Sequence, residues 1–388
     1  MVGAPYGEGV TARGNDFDAL RLVAALMVVV GHGAVLLGEP APRLLGLPVH
    51  SLGVSVFFCV SGFLIAGSME RAPSAGRFLW HRVLRIFPAL IVVVAVSMLV
   101  LGPLVTSLPV GAYFGSPQTW AYALNVPLLA QYELPGVFDS AVHARPAVNG
   151  SLWTLGVEFC CYLGVLALRW VPGHWRVGTV AARGVAVRGV AARGVAVHGV
   201  PVRGVPVHGV PLRGVPLRGV PLRGVLAVAA LVGLALVTGL GGAIGSSAEL
   251  CAFFAAAAAV RLLVPAAWLR WPAGVAALAV LLLAAGTPLQ QVALWVALPV
   301  LVIVVGLGSL PVLRRAARFG DFSYGLYLWS YPVQQLVLEV LGRLPVAANL
   351  ALVVAVTLLL AAASWWLVER PALRHKDARL PGRVTSGT

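Results

Sequence analysis

The sequence contains little charge, and most of that charge is of one sign. Only 11% of the 388 residues are charged, with 28 basic residues against 13 acidic ones, and Lys376 is the single lysine. Soluble globular proteins carry about a quarter charged residues, so too few are present to cover the domains expected at this length. Disorder is excluded for most of the chain because 60% of the residues are hydrophobic. The composition therefore predicts an all-α polytopic membrane protein that lies in a lipid bilayer.

Cysteine is scarce as well. The four cysteines, Cys59, Cys160, Cys161 and Cys251, all lie in apolar stretches. They form neither a disulfide framework nor the spacing of metal ligands. We expect them to be small buried residues, and we expect no metal site.

Long apolar runs, in contrast, are abundant. A bilayer core about 30 Å thick requires roughly 20 apolar residues in a helix. Runs near this length predict ten transmembrane helices, at residues 20–37, 52–69, 86–108, 152–171, 225–244, 250–264, 272–285, 289–307, 322–341 and 348–368. The weaker stretch 119–131 is predicted to lie in an extramembrane loop.

The basic residues predict the orientation of these helices. With the N-terminus in the cytoplasm and ten spans, all basic residues except Arg43, Arg145 and Arg343 fall on the cytoplasmic side. This bias is the positive-inside rule, and a wrong helix count would scramble it. We therefore predict that both termini are cytoplasmic.

Residues 180–225 form a pentapeptide repeat of nine units, seven with arginine and two with histidine. Glycine and proline at this spacing prevent a regular helix, so we predict a disordered basic loop. It either straps onto anionic lipid headgroups or is an expanded repeat without a role. Its seven arginines supply about half of the net charge of +15, so basicity is no argument for nucleic-acid binding.

The repeat also sets the domain organisation. We predict an N-terminal transmembrane half at 1–171, the cytoplasmic repeat loop at 172–224, a C-terminal transmembrane half at 225–370 and a basic cytoplasmic tail at 371–388.

The first predicted helix carries two ionisable residues, Arg21 and His32. They are eleven positions apart, close to three helical turns, so they share one helix face about 16 Å apart. Gly31 and Gly33 flank the histidine and allow another helix or a substrate to approach closely. Ionisable residues within a membrane helix indicate function by default, although a structural histidine bonded between helices is the alternative.

Two further motifs carry charge in the N-terminal half. Arg82 and Arg85 are three residues apart on a predicted short helix at the cytoplasmic surface, where they either grip phosphate or anchor the chain. Glu158, in the motif that begins Asn149-Gly-Ser151, has only apolar and small neighbours in sequence. It must pair, face a polar cavity or be protonated.

Two more motifs lie near the C-terminus. Residues 320–332 are polar and aromatic within a predicted span, and packing explains them as well as chemistry does. The sequence Glu369-Arg370-Pro371 is expected to stop the last helix and to pair locally.

These five motifs, in this order over residues 16–373 without the repeat, resemble the acyltransferase-3 family of membrane O-acyltransferases. The resemblance implies a multi-pass protein of the bacterial cytoplasmic (inner) membrane. It also implies transfer of an acyl group, often acetyl, from acyl-CoA to a hydroxyl of a cell-envelope glycan, a lipid or a secondary metabolite. Acyl-CoA is then a co-substrate, and no bound cofactor is needed. One departure is Ser330, where the family usually has histidine.

The resemblance assigns roles to particular residues. His32 becomes the general base for the acceptor hydroxyl, and Glu158 orients or stabilises the site. The donor phosphates are expected to bind Arg21, Arg82 and Arg85. Supporting positions are Ser61, Trp153, Tyr324 and Tyr327.

Two other hypotheses stay open at this point. A transporter or flippase also has intramembrane charges, although the internal repeats typical of one are absent from the sequence. A catalytically inactive relative fits the Ser330 departure. No motif identifies the acceptor, the acyl chain length or the oligomeric state.

Overall fold

The computed structural model describes residues 16–72, 74–167, 245–308 and 320–377. These residues are almost entirely helical, which confirms the all-α prediction. The long helices of the described residues are α1 Phe17–Leu36, α2 Val49–Arg71, α3 Ala75–Val96, α4 Trp153–Ala167, α5 Gly245–Leu263, α6 Trp271–Ala284, α7 Gln290–Leu307, α8 Ser323–Leu341 and α9 Val346–Ser364.

Shorter elements complete the described chain. A two-residue antiparallel pair, β1 (Arg43–Leu44) with β2 (Leu47–Pro48), connects α1 to α2. The remaining pieces are helical turns at Ser97–Leu101, Gly102–Val105, Val110–Gly115, Pro117–Ala121, Tyr122–Asn125, Ala266–Trp268, Trp365–Glu369, Arg370–Arg374 and His375–Asp377.

Each long helix of the described residues overlaps one of the predicted spans. Within the described ranges, five helices are long and apolar enough to cross a bilayer: α1, α2, α3 with its continuation to Val105, α7, and α9 with its continuation to Arg374. The predicted span at 225–244 and the repeat at 180–225 lie outside the described residues. Ten spans and two cytoplasmic termini therefore stay predictions.

Helix α3 begins earlier than the sequence predicts. The sequence predicted a span from residue 86 and a separate short helix for Arg82 and Arg85, which was wrong. A single helix begins at Ala75, where the Ser74 hydroxyl accepts the Arg77 backbone N–H at 3.2 Å. The polar first turns belong to the same helix because their apolar members are buried on its inner face. Both arginines therefore project from one long helix.

The helical chain after α9 continues beyond the end that the sequence predicts. The helix does not stop at Glu369 but passes through a π-helical turn, Trp365–Glu369, into Arg370–Arg374. Pro371 lies in the first turn of that last piece, where its missing N–H does not break a helical hydrogen bond. Glu369 accepts one local hydrogen bond, from Ser364, but its ion pair is with Arg85, 284 residues away in sequence.

Close packing between helices relies on small residues. Gly62 in α2 lies against α5, and a Cβ atom there would be 2.1 Å from the Phe254 carbonyl oxygen. Gly53 makes a similar approach to the Ala24 carbonyl of α1. Small residues of this kind let membrane helices pack backbone to backbone. Helix α2 is thereby fixed between α1 and α5.

The connection between α3 and α4 folds across one end of the bundle. It is attached there to α8: the ring of buried His143 contacts Gln335 at 3.0 Å and Glu339 at 2.6 Å. The Gln335 amide in turn donates to the backbone carbonyls of Arg145 and Ala147, both at 2.8 Å. These bonds fix Arg145 and Ala147, which line a cavity of the protein.

Candidate active site

Two cavities lie toward opposite ends of α1 and α2. The arginine cavity has a volume of about 320 Å³ and lies beside the start of α1. The histidine cavity, of about 780 Å³, lies beside the end of α1 and the start of α2. Polar residues that line the arginine cavity include Arg21, Ser61, Arg82, Arg85, Glu158 and Asp321. Those of the histidine cavity include His32, His50, Glu133, Arg145, Trp153 and Tyr331.

Arg85 is engaged by carboxylates at the wall of the arginine cavity. It donates to Asp321, and to Glu369 at 3.5 Å, while its guanidinium lies 5.5 Å from the centre of the Tyr324 ring. Glu369 is only 2% exposed, so its charge depends on this partner. Burial alone would raise the pKa of Asp321, but the guanidinium groups of Arg85 and Arg21 hold that pKa below its ordinary value.

Arg82 has a different environment, one turn earlier on α3. Its Nε is buried and has no hydrogen-bond partner within the described part of the chain. Its guanidinium lies 6.0 Å from the centre of the Phe78 ring. Among the described residues no carboxylate forms an ion pair with it. A buried donor without a partner is costly, and an anion in the cavity would satisfy it.

Glu158 is a hydrogen-bond acceptor at the wall of the same cavity. Its Oε1 accepts from the Ser61 hydroxyl and from the Tyr162 hydroxyl, each at 2.6 Å. Tyr162 reaches it because residues four apart face the same side of α4. The sequence required pairing, a polar cavity or protonation, and the structure supplies hydrogen bonds together with a polar cavity.

His32 lies in the histidine cavity, among residues from several elements. Its Nδ1 is 3.5 Å from the Ser151 hydroxyl, and its ring centre is 5.3 Å from the ring centres of both His50 and Tyr331. A Cβ at Gly31 would be 2.6 Å from the His50 side chain, so this glycine gives His50 its place beside His32. That contact confirms the close approach expected at Gly31.

The predicted site residues therefore separate into two groups. Arg21 and His32 share α1, but they line different cavities, and His32 is not brought together with Glu158. Trp153 lines the histidine cavity, whereas Ser61 and Tyr324 line the arginine cavity.

Tyr327 joins the two groups, because it lines both cavities together with Val54 and Thr154. Its hydroxyl donates to the Ser151 carbonyl at 2.8 Å and accepts from the Thr154 hydroxyl at 2.5 Å. The cavities thus adjoin at a hydrogen-bonded tyrosine. From there Ser151 continues the contact to His32.

Some residues at these cavities were missed by the sequence analysis. His50 and Arg145 line the histidine cavity, and neither was named as a site residue. Tyr331 lines it as well and was noted only as part of the motif at residues 320–332. The only signal for His50 is a histidine shortly before an apolar run, which is weak. Arg145 was visible only as one of three arginines on the side opposite the other basic residues.

Ser330 lies away from both cavities. It is fully buried in α8, and its hydroxyl is 3.4 Å from the Tyr327 carbonyl of its own helix. It belongs to neither cavity lining.

The described residues thus form apolar helices around two adjoining polar cavities. The family model described as "Acyltransferase domain" matches residues 15–369. The chain therefore belongs to the acyltransferase-3 family, as its motifs indicated.

Two curated relatives match part of the chain. An O-acetyl transferase of Shigella phage Sf6 is 35% identical over 152 residues, 39% of this chain and 44% of that protein. Nodulation protein 10 of Rhizobium leguminosarum bv. viciae is 33% identical over 183 residues, 44% of this chain and 48% of that protein. The chain thus spans a little under half the length of the curated relatives that it matches. No solved structure matches it.

Proposed function

We propose that this protein is a multi-pass O-acyltransferase of the bacterial cytoplasmic membrane. It moves an acyl group, with acetyl as the first candidate, from acyl-CoA to a hydroxyl of a cell-envelope glycan, lipid or secondary metabolite. The observation that carries the proposal is the pair of cavities that adjoin at Tyr327. Family membership and the relative named O-acetyl transferase support it.

The arginine cavity is the proposed donor site. CoA carries a pyrophosphate and a ribose phosphate, and arginine binds such groups through forked donors. Arg82 supplies an unpartnered buried donor. Arg21 and Arg85 form the charged wall beside it, with Tyr324 packed against Arg85. Glu158, held by Ser61, orients the inner end of this site.

The histidine cavity is the proposed acceptor site, with His32 as general base. His32 removes the proton of the acceptor hydroxyl, whose oxygen bonds to the thioester carbonyl carbon. The carbon–sulfur bond then breaks, and the thiolate leaves with the electron pair and takes up a proton. The thioester must therefore reach the junction at Tyr327, while Trp153 lines the acceptor side.

Substitution of His32 tests this division of roles. His32→Ala is expected to lower acyl transfer roughly 100- to 10,000-fold. Binding of acetyl-CoA should persist, because His32 does not line the arginine cavity. The measurement is transfer of radiolabelled acetyl from acetyl-CoA to membrane glycans and lipids, beside equilibrium binding of acetyl-CoA. His208→Ala in the repeat is the control. Unchanged transfer by His32→Ala would remove the general-base role.

The same experiment distinguishes the two other hypotheses. Two cavities toward opposite ends also suit a transporter, which needs no acyl-CoA and would transfer no label. An inactive relative would bind acetyl-CoA without transferring label in the wild type.

A further inference from the structure

The last described segment of the chain, His375–Asp377, returns to the arginine cavity and is bound there. Two consecutive residues of α3 hold two consecutive backbone carbonyls of this segment. The Trp80 indole donates to the His375 carbonyl, and the His81 Nε2 donates to the Lys376 carbonyl, each at 3.2 Å. A carbonyl only accepts, so the Nε2 of His81 carries the proton in this contact.

This attachment brings Lys376 into the wall of the cavity. Leu373 and Lys376 both line it, whereas the intervening Arg374 and His375 are exposed. The segment therefore lies at the rim of the cavity, with one side of it facing inward. Because Lys376 is the single lysine of the sequence, this position holds the only side-chain ammonium group in the chain.

Basic residues line both the inner part and the rim of the cavity. Arg21 and Arg85 form ion pairs with carboxylates, chiefly that of Asp321. Arg82 and Lys376 are the arginine and the lysine that line the cavity toward its rim. An anion of multiple charge would find its counter-charges at this rim.

We propose that Lys376 binds a phosphate group of the acyl donor at the rim of the arginine cavity, so that the segment after α9 is part of the donor site. This inference rests on the proposed function, because it assumes a CoA donor. It also orients that donor: the nucleotide end lies at the rim near Lys376, and the thioester end lies inward near Tyr327. Lysine suits the role as a compact point charge for phosphate, beside the forked guanidinium of Arg82.

The single lysine permits a direct test on the purified full-length protein. An amine-reactive ester modifies Lys376, and peptide mass spectrometry follows the rate of modification. The terminal amine of the purified chain reacts with the same reagent and serves as an internal control. CoA is expected to slow the modification of Lys376 about tenfold and to leave the terminal amine unaffected, whereas adenosine should protect neither.

Dephospho-CoA identifies the phosphate involved. If dephospho-CoA protects Lys376 as well as CoA does, the lysine contacts the pyrophosphate. If it does not protect, the lysine contacts the ribose 3′-phosphate. Modification of Lys376 at the same rate with and without saturating CoA would overturn the proposal.

Substitutions provide a second measurement. Lys376→Ala is expected to weaken CoA binding about tenfold, which is about 1.4 kcal/mol, and Lys376→Arg should retain most of the affinity. Arg374→Ala is the matched control, because Arg374 is exposed and lies outside the cavity lining. Unchanged affinity in Lys376→Ala would overturn the role of the lysine and leave the donor site intact. Absence of CoA binding in the wild type would overturn the donor site as well.

Discussion

At the scale of single residues, Arg82 and Arg85 have different partners although they lie one turn apart on α3. Arg85 is the counter-charge of Asp321 and of buried Glu369, two carboxylates from distant parts of the sequence. Arg82 forms no ion pair within the described residues and has an unpartnered Nε. We therefore assign Arg85 to holding the helices together and Arg82 to binding the donor.

Substitution of each arginine separates these roles. Arg85→Ala removes the cation from between two carboxylates, and loss of one partner from a buried ion pair costs about 3–5 kcal/mol. We expect a clearly lower thermal unfolding temperature in detergent. Arg82→Ala should unfold like the wild type but bind acetyl-CoA about tenfold more weakly or worse. Equal stability of Arg85→Ala and the wild type would contradict this assignment.

Several of these residues could be predicted from the sequence because a charge in an apolar stretch is conspicuous. Arg21, His32 and Glu158 were found in this way. Their partners could not be predicted, since the neighbour of Arg85 across 284 residues depends on how the helices pack. His50 was missed because nothing in its own segment distinguishes it from any polar residue in the first turn of a helix.

At the scale of helices, the contact between α2 and α5 depends on Gly62. This glycine directly follows Ser61, which the sequence analysis names as a supporting position. The sequence does not indicate which helix packs against it. The structure places the backbone of α5 directly against Gly62, next to Ser61 and its bond to Glu158. The same close packing therefore supports a wall of the arginine cavity.

A methyl group at this position should separate the two helices. Gly62→Ala would place a Cβ 2.1 Å from the Phe254 carbonyl oxygen, and overpacking of this kind costs about 1–3 kcal/mol. The readout is the unfolding temperature in detergent. Gly164→Ala in α4 is the matched control, because a Cβ there would meet nothing within 4 Å. Alanine favours a helix more than glycine does, so Gly164→Ala should be at least as stable as the wild type. An equal loss of stability in both variants would contradict the role of the contact with α5.

At the scale of the whole molecule, the histidine cavity and the predicted outer arginines lie at the same end of the bundle. Arg43 lies in the connection between α1 and α2, and Arg145 lines the histidine cavity. Arg343 lies near the end of α1, 3.9 Å from where a Cβ at Gly38 would be. The arginine cavity lies toward the other end. This arrangement agrees with the predicted orientation, which itself stays a prediction.

In the predicted orientation, the acyl donor can reach the arginine cavity only from the cytoplasmic side of the membrane. Inverted membrane vesicles, which expose their cytoplasmic face, are expected to bind CoA. Right-side-out vesicles should bind it only after permeabilisation, because the arginine cavity would then become reachable. The measurement is the binding of radiolabelled CoA to both preparations, with equal amounts of protein. Binding to intact right-side-out vesicles alone would reverse the predicted topology.

Apolar run lengths predicted every long helix of the described residues, because burial in lipid leaves little freedom in composition. The run lengths did not predict the polar start of α3 or the polar continuation after α9. The start of α3 at Ala75 and the continuation past Glu369 are built from charged and aromatic residues, which run lengths do not score. Both failures lie at the arginine cavity, where polar residues lie on helices.

The π-helical turn at Trp365–Glu369 has a geometric consequence for the end of the chain. Such a turn accommodates one more residue than an α-helical turn. Each residue of an α-helix rotates the chain by about 100° around the helix axis. All residues beyond the turn are therefore rotated in phase relative to α9. Deleting a single residue within the turn would leave the composition of the tail untouched and still rotate Lys376 away from the cavity. The number of residues in this turn, and not only their identity, determines where the chain's single ammonium side chain points.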